Sequence, residues 1–148
     1  MNLLLDTNIL ILLAKDHQQK LIGKINPENR KIFISITSIG ELKSIAMQNA
    51  WGLKKWKVIN GILDEAIIIE INENLIDTYT QIDAYSQCRN PSFHEYPFAT
   101  PRNMGKNDLW IASTAALLGL KLVTTDMDFN HLHNTFIEVQ TLDIHQVR

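Results

Sequence analysis

The sequence lacks the features of secreted, disulfide-bonded and membrane proteins. Cys88 is the one cysteine among 148 residues, so it has no internal disulfide partner and indicates no oxidising compartment. The longest uninterrupted apolar run, residues 9–14, is far shorter than the roughly 18 residues that a membrane-spanning helix needs. The first residues, MNLLLD, have no basic region of the kind that opens a signal peptide. We therefore expect a soluble, cytoplasmic protein with no membrane partner.

A strong charge of either sign is also missing. The 14 Lys and Arg residues nearly balance the 16 Asp and Glu residues, for a net charge of -2, so any claim of nucleic-acid binding must rest on local features. A glycine-rich phosphate loop is absent too, which argues against an NTPase or a dinucleotide-binding protein. With 45% hydrophobic and 20% charged residues the chain has ordinary globular composition, and its length predicts a single domain over residues 1–148.

Short apolar runs alternate with segments of helical periodicity along most of the chain. The runs predict strands at residues 3–5, 31–35, 66–71, 121–125 and 137–142. The periodic segments predict helices at residues 7–15, 37–50, 53–65, 72–89 and 106–118, with Gly119 ending the last of them. This alternation predicts an α/β protein with a mainly parallel sheet and helices on both faces.

One segment, residues 90–105, has no period and contains Pro91, Pro97 and Pro101. A loop of about sixteen residues is longer than most loops of compact domains. Two interpretations stay open for it, a functional or mobile loop and a tolerated surface insertion.

Four acidic residues are predicted to meet at one edge of the sheet. Asp6 and Asp126 follow the first and fourth strands, and Glu41 lies early in the helix after the second. Asp108 begins the helix before the fourth strand. A helix of about eleven residues runs roughly 16 Å and a strand of about five residues returns roughly 16 Å, which brings Asp108 back to the edge that holds Asp126. Ligands of open α/β sheets bind at this carboxyl edge.

Four ionised carboxylates at one edge require a counter-charge. Two unit charges 4 Å apart repel by about 4 kcal/mol at an effective dielectric constant near 20. Oxygen ligands without Cys or His favour Mg²⁺ or Mn²⁺ over Zn²⁺. Such an ion lowers the pKa of bound water and stabilises a leaving oxygen, which is the chemistry of a metal-dependent nuclease.

Each acid also has a purely structural interpretation. Asp6 and Asp126 are placed to cap the helices that follow them. Asp108 lies where an acid complements the helix dipole, and Ser38 with Glu41 matches the capping-box pattern. Only the four positions taken together indicate a site.

Basic residues near these acids are candidates for binding RNA phosphates. Lys106 and Arg102 flank Asp108 and are the stronger candidates, and Lys43 is a further one. Asp128 is interpreted as a solvent-facing or supporting acid rather than a direct metal ligand.

Four segments resemble the motifs of PIN-domain ribonucleases, in the order in which that family has them. They are residues 3–10 (LLLDTNIL), 35–42 (SITSIGEL), 105–115 (GKNDLWIASTA) and 122–129 (LVTTDMDF), of which the third and fourth are the most specific. Together they span nearly the whole chain. The short length resembles the VapC toxins of bacterial type II toxin–antitoxin systems.

The resemblance implies a three-layer α/β/α sandwich around a parallel five-stranded sheet. It also implies that an acidic quartet binds Mg²⁺ or Mn²⁺ and that Asn8 and Thr125 support or orient the carboxylates. The matching quartet is Asp6, Glu41, Asp108 and Asp126.

The activity implied by the resemblance is hydrolysis of RNA, possible targets being tRNA and rRNA, to leave a 3′-hydroxyl and a 5′-phosphate. VapC-like proteins typically form homodimers and are blocked by an antitoxin near the acids. The segment 90–105 is longer than the equivalent part of many relatives. The resemblance therefore does not predict how the substrate reaches the acids or how a partner docks.

Two other functions are weighed against the nuclease. A phosphohydrolase could use Asp6 as its nucleophile, but such enzymes usually have Asp-x-Asp after the first strand, and position 8 here is Asn. A non-catalytic or degenerate PIN-like module would only bind a partner, and the intact quartet argues against it. Another non-catalytic alternative is a phosphorylatable receiver domain. Such a domain would need a lysine at the carboxyl end of a strand near the acids, whereas Lys121 lies at the opposite end of its strand.

Overall fold

The computed structural model describes residues 1–147, and its five strands form one parallel sheet. The strands lie in the order β3-β2-β1-β4-β5. Their bounds are β1 Leu3–Leu5, β2 Ile32–Ser35, β3 Ile67–Ile69, β4 Lys121–Thr124 and β5 Glu138–Thr141. The predicted α/β fold with a mainly parallel five-stranded sheet is confirmed.

Helices connect the strands. They are α1 Thr7–Lys15, α2 Leu21–Ile25, α3 Ile36–Gln48, α4 Leu53–Glu65, α5 Ile76–Ser86, α6 Lys106–Leu118 and α7 Ile144–Val147. Two 3₁₀ helices cover Glu73–Leu75 and Met127–Leu132. Among residues 1–147, no helix combines the length and the apolar character that crossing a bilayer requires.

The central strand β1 separates two hydrophobic cores. Leu5 packs with Leu10 of α1 and with residues of α3 and α4 on one face of the sheet. Leu4 points to the other face, where it packs with Ile82 of α5 and Ile111 of α6. The two faces alternate along a strand because successive side chains point in opposite directions. The result is the three-layer α/β/α sandwich that the resemblance implies.

Helix ends follow local rules at several sites. Gly119 ends α6 in the left-handed conformation at φ 63°, as predicted. The Ser35 hydroxyl caps α3 by accepting a hydrogen bond from the Thr37 amide at 3.2 Å. The capping-box interpretation of Ser38 and Glu41 is therefore wrong, because the helix begins three residues earlier and Ser38 is buried within it.

The third strand and the following helix are shorter than predicted. β3 is an edge strand of three residues that pairs only with β2. The Asn72 side chain then accepts a hydrogen bond from the Asn74 amide, which starts a 3₁₀ turn before α5. After α5 ends at Ser86, Cys88 has a left-handed φ of 58°, which is incompatible with continuing the helix to residue 89.

Residues 90–105 lack regular secondary structure except for turns, yet aromatic contacts hold them against α5. The Tyr85 ring lies 4.7 Å from Phe93, 5.3 Å from Tyr96 and 5.5 Å from Phe98 between ring centroids. The side-chain Nδ2 of the buried Asn90 donates to the Gln81 backbone carbonyl oxygen at 3.0 Å. This segment is thus a packed part of the fold.

Candidate functional site

Asp6 stands at the carboxyl end of the central strand with both carboxylate oxygens hydrogen-bonded. Its Oδ1 accepts from the Thr7 amide at 2.8 Å, which caps α1, and its Oδ2 accepts from the Thr124 hydroxyl at 2.7 Å. The residue is 4% exposed. The capping interpretation of Asp6 is therefore confirmed, but the cap uses only one of the two oxygens.

The Thr124 hydroxyl links Asp6 to Asp126. It donates to Asp6, which lies 118 residues away in the sequence. It also accepts a hydrogen bond from the Asp126 amide at 3.0 Å. Asp126 Oδ1 in turn accepts from the Asp128 amide at 2.8 Å and caps the 3₁₀ helix, as its structural interpretation predicts. One side chain thereby fixes the spacing of two acids on neighbouring strands.

Glu41 is held from the α1 side of the site. The Thr7 hydroxyl donates to Glu41 Oε1 at 3.2 Å, which ties α3 to the start of α1. Asn8 Oδ1 accepts from the Thr125 amide at 3.3 Å and so braces the backbone next to Asp126. The threonine hydroxyls that donate hydrogen bonds to the acids are thus those of Thr7 and Thr124. The sequence analysis does not predict either residue as a support for the carboxylates.

A signal for the role of Thr124 exists in the sequence. Buried strands of a parallel sheet are nearly all apolar, so a threonine at the end of LVTT needs a hydrogen-bond partner in the interior. Choosing between Thr124 and Thr125 requires the register of β4 against β1. Because Leu5 pairs with Val123, the threonine that lies beside Asp6 is Thr124.

Asp108 lies in the first turn of α6, after the N-cap Gly105. Burial, and then the negative charges of Asp6, Asp126, Glu41 and Asp128 in that order, together raise its pKa to about 7. The predicted acids are therefore close enough to Asp108 to repel its charge. Asp128 adds to this repulsion.

Asp6 is also affected by its surroundings. Burial raises its pKa, while the hydrogen bonds from Thr124 and Thr7 oppose that rise. The nearby Glu41 and Asp126 charges raise it again. The charges of neighbouring acids thus raise the pKa of both Asp6 and Asp108. Asp6 differs in having two hydrogen bonds that stabilise its charged form.

The chemistry of these donors fits a hard divalent cation. Carboxylate oxygens suit Mg²⁺ and Mn²⁺, and the raised pKa of Asp108 reveals negative charge that a cation would neutralise. Among residues 1–147, no three His, Cys, Asp or Glu side chains form a ready-made metal cage. Mg²⁺ does not need such a cage, because it usually binds one or two carboxylates and keeps several waters.

The basic candidates are distributed unevenly around the acids. Lys106 is exposed at the start of α6, and the exposed Arg102 lies over the Phe98 ring at 5.6 Å. Lys43 instead lines a groove with Trp51 and Trp56, a different groove from the one lined by Glu41. Lys106 and Arg102 thus accompany Asp108, and Lys43 does not share the groove of Glu41.

Comparisons with known proteins agree on the fold. The model of the PIN domain family matches residues 3–134. No curated protein sequence matches the chain significantly.

Solved toxin–antitoxin structures resemble the chain over nearly its whole length. VapBC2 from Rickettsia felis is 20% identical with a TM-score of 0.73, covering 97% of this chain and 100% of that chain. VapBC-1 from nontypeable Haemophilus influenzae is 24% identical with a TM-score of 0.68, covering 95% and 98%. DNA-bound VapBC from Salmonella typhimurium is 22% identical with a TM-score of 0.65, also covering 95% and 98%. At these identities the likeness shows the fold.

Proposed function

The chain belongs to the PIN-domain family, and from this premise we propose that it is a metal-dependent endoribonuclease that hydrolyses RNA phosphodiester bonds. The observation that carries the proposal is the meeting of the acids at one edge of the sheet: the Thr124 hydroxyl links Asp6 to Asp126, and the Thr7 hydroxyl holds Glu41. The charges of these acids also help to raise the pKa of the Asp108 carboxyl. A chain folded only for stability has no reason to gather repelling charges at one edge of its sheet. We further propose that residues 1–148 form one nuclease domain.

The proposed holders of Mg²⁺ or Mn²⁺ are Asp6, Glu41, Asp108 and Asp126, one or two of which would bind the ion directly and the others through its waters. When bound, the ion would activate a water as nucleophile and stabilise the leaving oxygen. The Thr124 and Thr7 hydroxyls keep carboxylate oxygens of Asp6 and Glu41 at set positions. Asn8 braces the Thr125 amide beside Asp126.

Positive charge for the RNA backbone comes from beside Asp108 in this proposal. Lys106 and Arg102 lie on the same segment as Asp108 and would attract phosphates toward the acids. Lys43 would contribute to a more distant part of the RNA path.

The toxin role and its partners are a further part of the proposal. The solved structures that share the fold are described as VapBC or toxin–antitoxin complexes, so we infer an antitoxin partner for this chain as well. We also propose a homodimer that acts in the cytoplasm, with tRNA or rRNA as candidate targets.

The alternative in which Asp6 is a phosphate-accepting nucleophile has little support. Both of its oxygens accept short hydrogen bonds, at 2.8 Å and 2.7 Å, and the residue is buried. Phosphohydrolases of this kind usually have a second aspartate two residues after the nucleophile, and this chain has Asn8 there.

The decisive experiment is RNA cleavage by the purified protein with Mg²⁺ or Mn²⁺. We expect Asp108→Asn to lower the cleavage rate by roughly 10²- to 10³-fold, the loss typical of removing one preorganised electrostatic contact. The matched control is Asp64→Asn, an exposed acid on α4. Sequencing of the RNA ends in cells that express either variant would also reveal the target. Equal cleavage by the wild type and Asp108→Asn would overturn the proposal.

A further inference from the structure

A cavity of about 680 Å³ lies between two segments that adjoin Asp108 and Asp126 in the sequence. Residues 97–104 supply one wall and residues 127–135 the other, and we call it the edge cavity. Pockets that bind small molecules or cofactors span about 300 to 1,000 Å³, so the edge cavity has room for a nucleotide.

Chain continuity puts the edge cavity beside the proposed reaction centre. Met104 in the first wall precedes α6, which carries Asp108 in its first turn. Met127 and Asp128 in the second wall directly follow Asp126. The Asp128 charge also raises the pKa of Asp108. A nucleotide in this cavity would therefore adjoin the phosphate that the acids act on.

The two walls are held together by the buried Ser86 at the end of α5. Its carbonyl oxygen accepts from the Arg102 amide at 2.7 Å, and its hydroxyl lies 2.7 Å from His131 Nε2. The same hydroxyl donates to the Met104 sulfur at 3.5 Å. Because one residue contacts both walls, the cavity is formed before any ligand arrives.

Two asparagine side chains in the lining already have their carboxamide oxygens hydrogen-bonded. Asn103 Oδ1 accepts from Gln87 Nε2 at 2.9 Å, and Asn130 Oδ1 accepts from the Thr141 hydroxyl at 2.8 Å. Each amide therefore offers its Nδ2 hydrogens as donors.

A histidine adds a further donor to the lining. His133 Nδ1 accepts from the Val139 amide at 2.9 Å, which requires the tautomer with hydrogen on Nε2. Arg102 has no acceptor atoms at all. The lining of the edge cavity is thus rich in hydrogen-bond donors.

Two further groups complete the chemistry of the edge cavity. The Phe98 ring lies beneath the Arg102 guanidinium, 5.6 Å from the ring centre, and this cation–π contact holds the arginine in the cavity lining. Asp128 adds a carboxylate acceptor in the wall opposite Arg102.

We propose that the edge cavity binds a guanine base of the RNA, next to the phosphodiester bond that is cleaved. Guanine presents two adjacent acceptors, O6 and N7, which match an arginine, and its N1 and N2 hydrogens match a carboxylate. Adenine and cytosine each place an exocyclic amino donor where the cavity already has donors. Uracil presents O4 without a second adjacent acceptor, so it cannot accept two hydrogen bonds from an arginine as guanine does. The base preference in cleavage rests on the proposed nuclease function, whereas selective binding of the free nucleotide does not.

Nucleotide binding without divalent metal tests the cavity independently of cleavage. Backbone amide NMR shifts of the wild type would be followed during titration with GMP, AMP, CMP and UMP in EDTA. We expect GMP to bind about tenfold more tightly than the others, with shifts centred on residues 97–104 and 127–135. Arg102→Met should abolish this preference, and Arg89→Met, an exposed arginine outside the lining, should keep it.

Two ligands separate base recognition from simple anion binding. Guanosine should still shift the cavity residues, and inorganic phosphate should not displace GMP. Equal binding of all four nucleotides, or shifts confined to other residues, would overturn the proposal. So would full competition by phosphate alone.

Cleavage mapping on an RNA of random sequence tests the same inference in the reaction. The wild type should cut mainly next to guanine, and Arg102→Met should cut with a base preference reduced about tenfold. Cleavage without base preference in the wild type would overturn the cavity proposal and leave the nuclease proposal intact. Selective GMP binding without any RNA cleavage would support the cavity and overturn the nuclease.

Discussion

The two sides of the carboxyl edge are built in different ways. The acid side, comprising Asp6, Glu41, Asp108 and Asp126, rests on strand ends and the early turns of helices. The aromatic side, residues 90–105 with Tyr85, has almost no regular structure and is held by ring contacts. The acid side gathers like charges, which costs stability, and the aromatic side buries large apolar rings, which supplies it. Stability and chemistry are thus divided between neighbouring parts of one edge.

Removing the centre of the aromatic side should have the largest effect on stability. Tyr85 is 2% exposed and lies next to Phe93, Tyr96, Phe98 and Phe136. We expect Tyr85→Ala to lower the free energy of unfolding by about 3 to 5 kcal/mol, because it leaves a large cavity. Denaturant unfolding measures this loss, and Tyr85→Phe is the control that keeps the ring. A loss below 1 kcal/mol would mean that residues 90–105 do not depend on this packing.

A smaller loss is expected from the acid side when its central hydroxyl is removed. Thr124→Val leaves Asp6 Oδ2 and the Asp126 amide without their partner. An unsatisfied buried polar group costs about 1 to 3 kcal/mol, so unfolding by denaturant should become easier by that amount. Thr125→Val removes a neighbouring hydroxyl that makes no such link and should change stability little. Equal effects of the two variants would show that the Thr124 link contributes nothing specific.

The smallest expected effect is a pH dependence that arises from Asp108. Its pKa is raised to about 7 in the folded protein, so between roughly pH 4 and 7 the folded state binds more protons than the unfolded state. Without metal, the free energy of unfolding should therefore fall as pH rises through this range. With screening by solvent we expect a fall of about 1 kcal/mol.

Asp108→Asn separates this cause from general acid effects. The variant should be more stable than the wild type at pH 8 and nearly equal to it at pH 4. Millimolar Mn²⁺ should also remove most of the pH dependence in the wild type, since a cation offsets the repulsion. An unchanged slope in Asp108→Asn would assign the pH dependence to other groups.

The comparison also explains what the sequence could predict. The acids were found because strands and helices have fixed rises, so Asp108 could be placed near Asp126 from segment lengths alone. The bounds of α1, α4 and α6 agree with the predicted ones, because each has a clear apolar pattern between turn or cap signals. The arrangement of residues 90–105 could not be derived, since aromatic contacts with Tyr85 carry no periodic signature.

The hydrogen-bond partners of the acids fall between these cases. The sequence does not predict that the hydroxyls of Thr7 and Thr124 donate hydrogen bonds to the acids. That prediction requires the register of β1 against β4. The edge cavity was less accessible still, since its walls come from segments separated by α6 and β4.

The pairing of β1 with β4 has a consequence for synthesis. Leu3 pairs with Lys121, so the first strand cannot gain its neighbour on that side until the ribosome has added more than a hundred further residues. Parallel contacts between distant segments form late and slowly. Asp6 accordingly meets Thr124 and Asp126 only after residue 126 has been made. If the chain cuts RNA, a ribosome making it is exposed to that activity only after residues 1–126 have emerged.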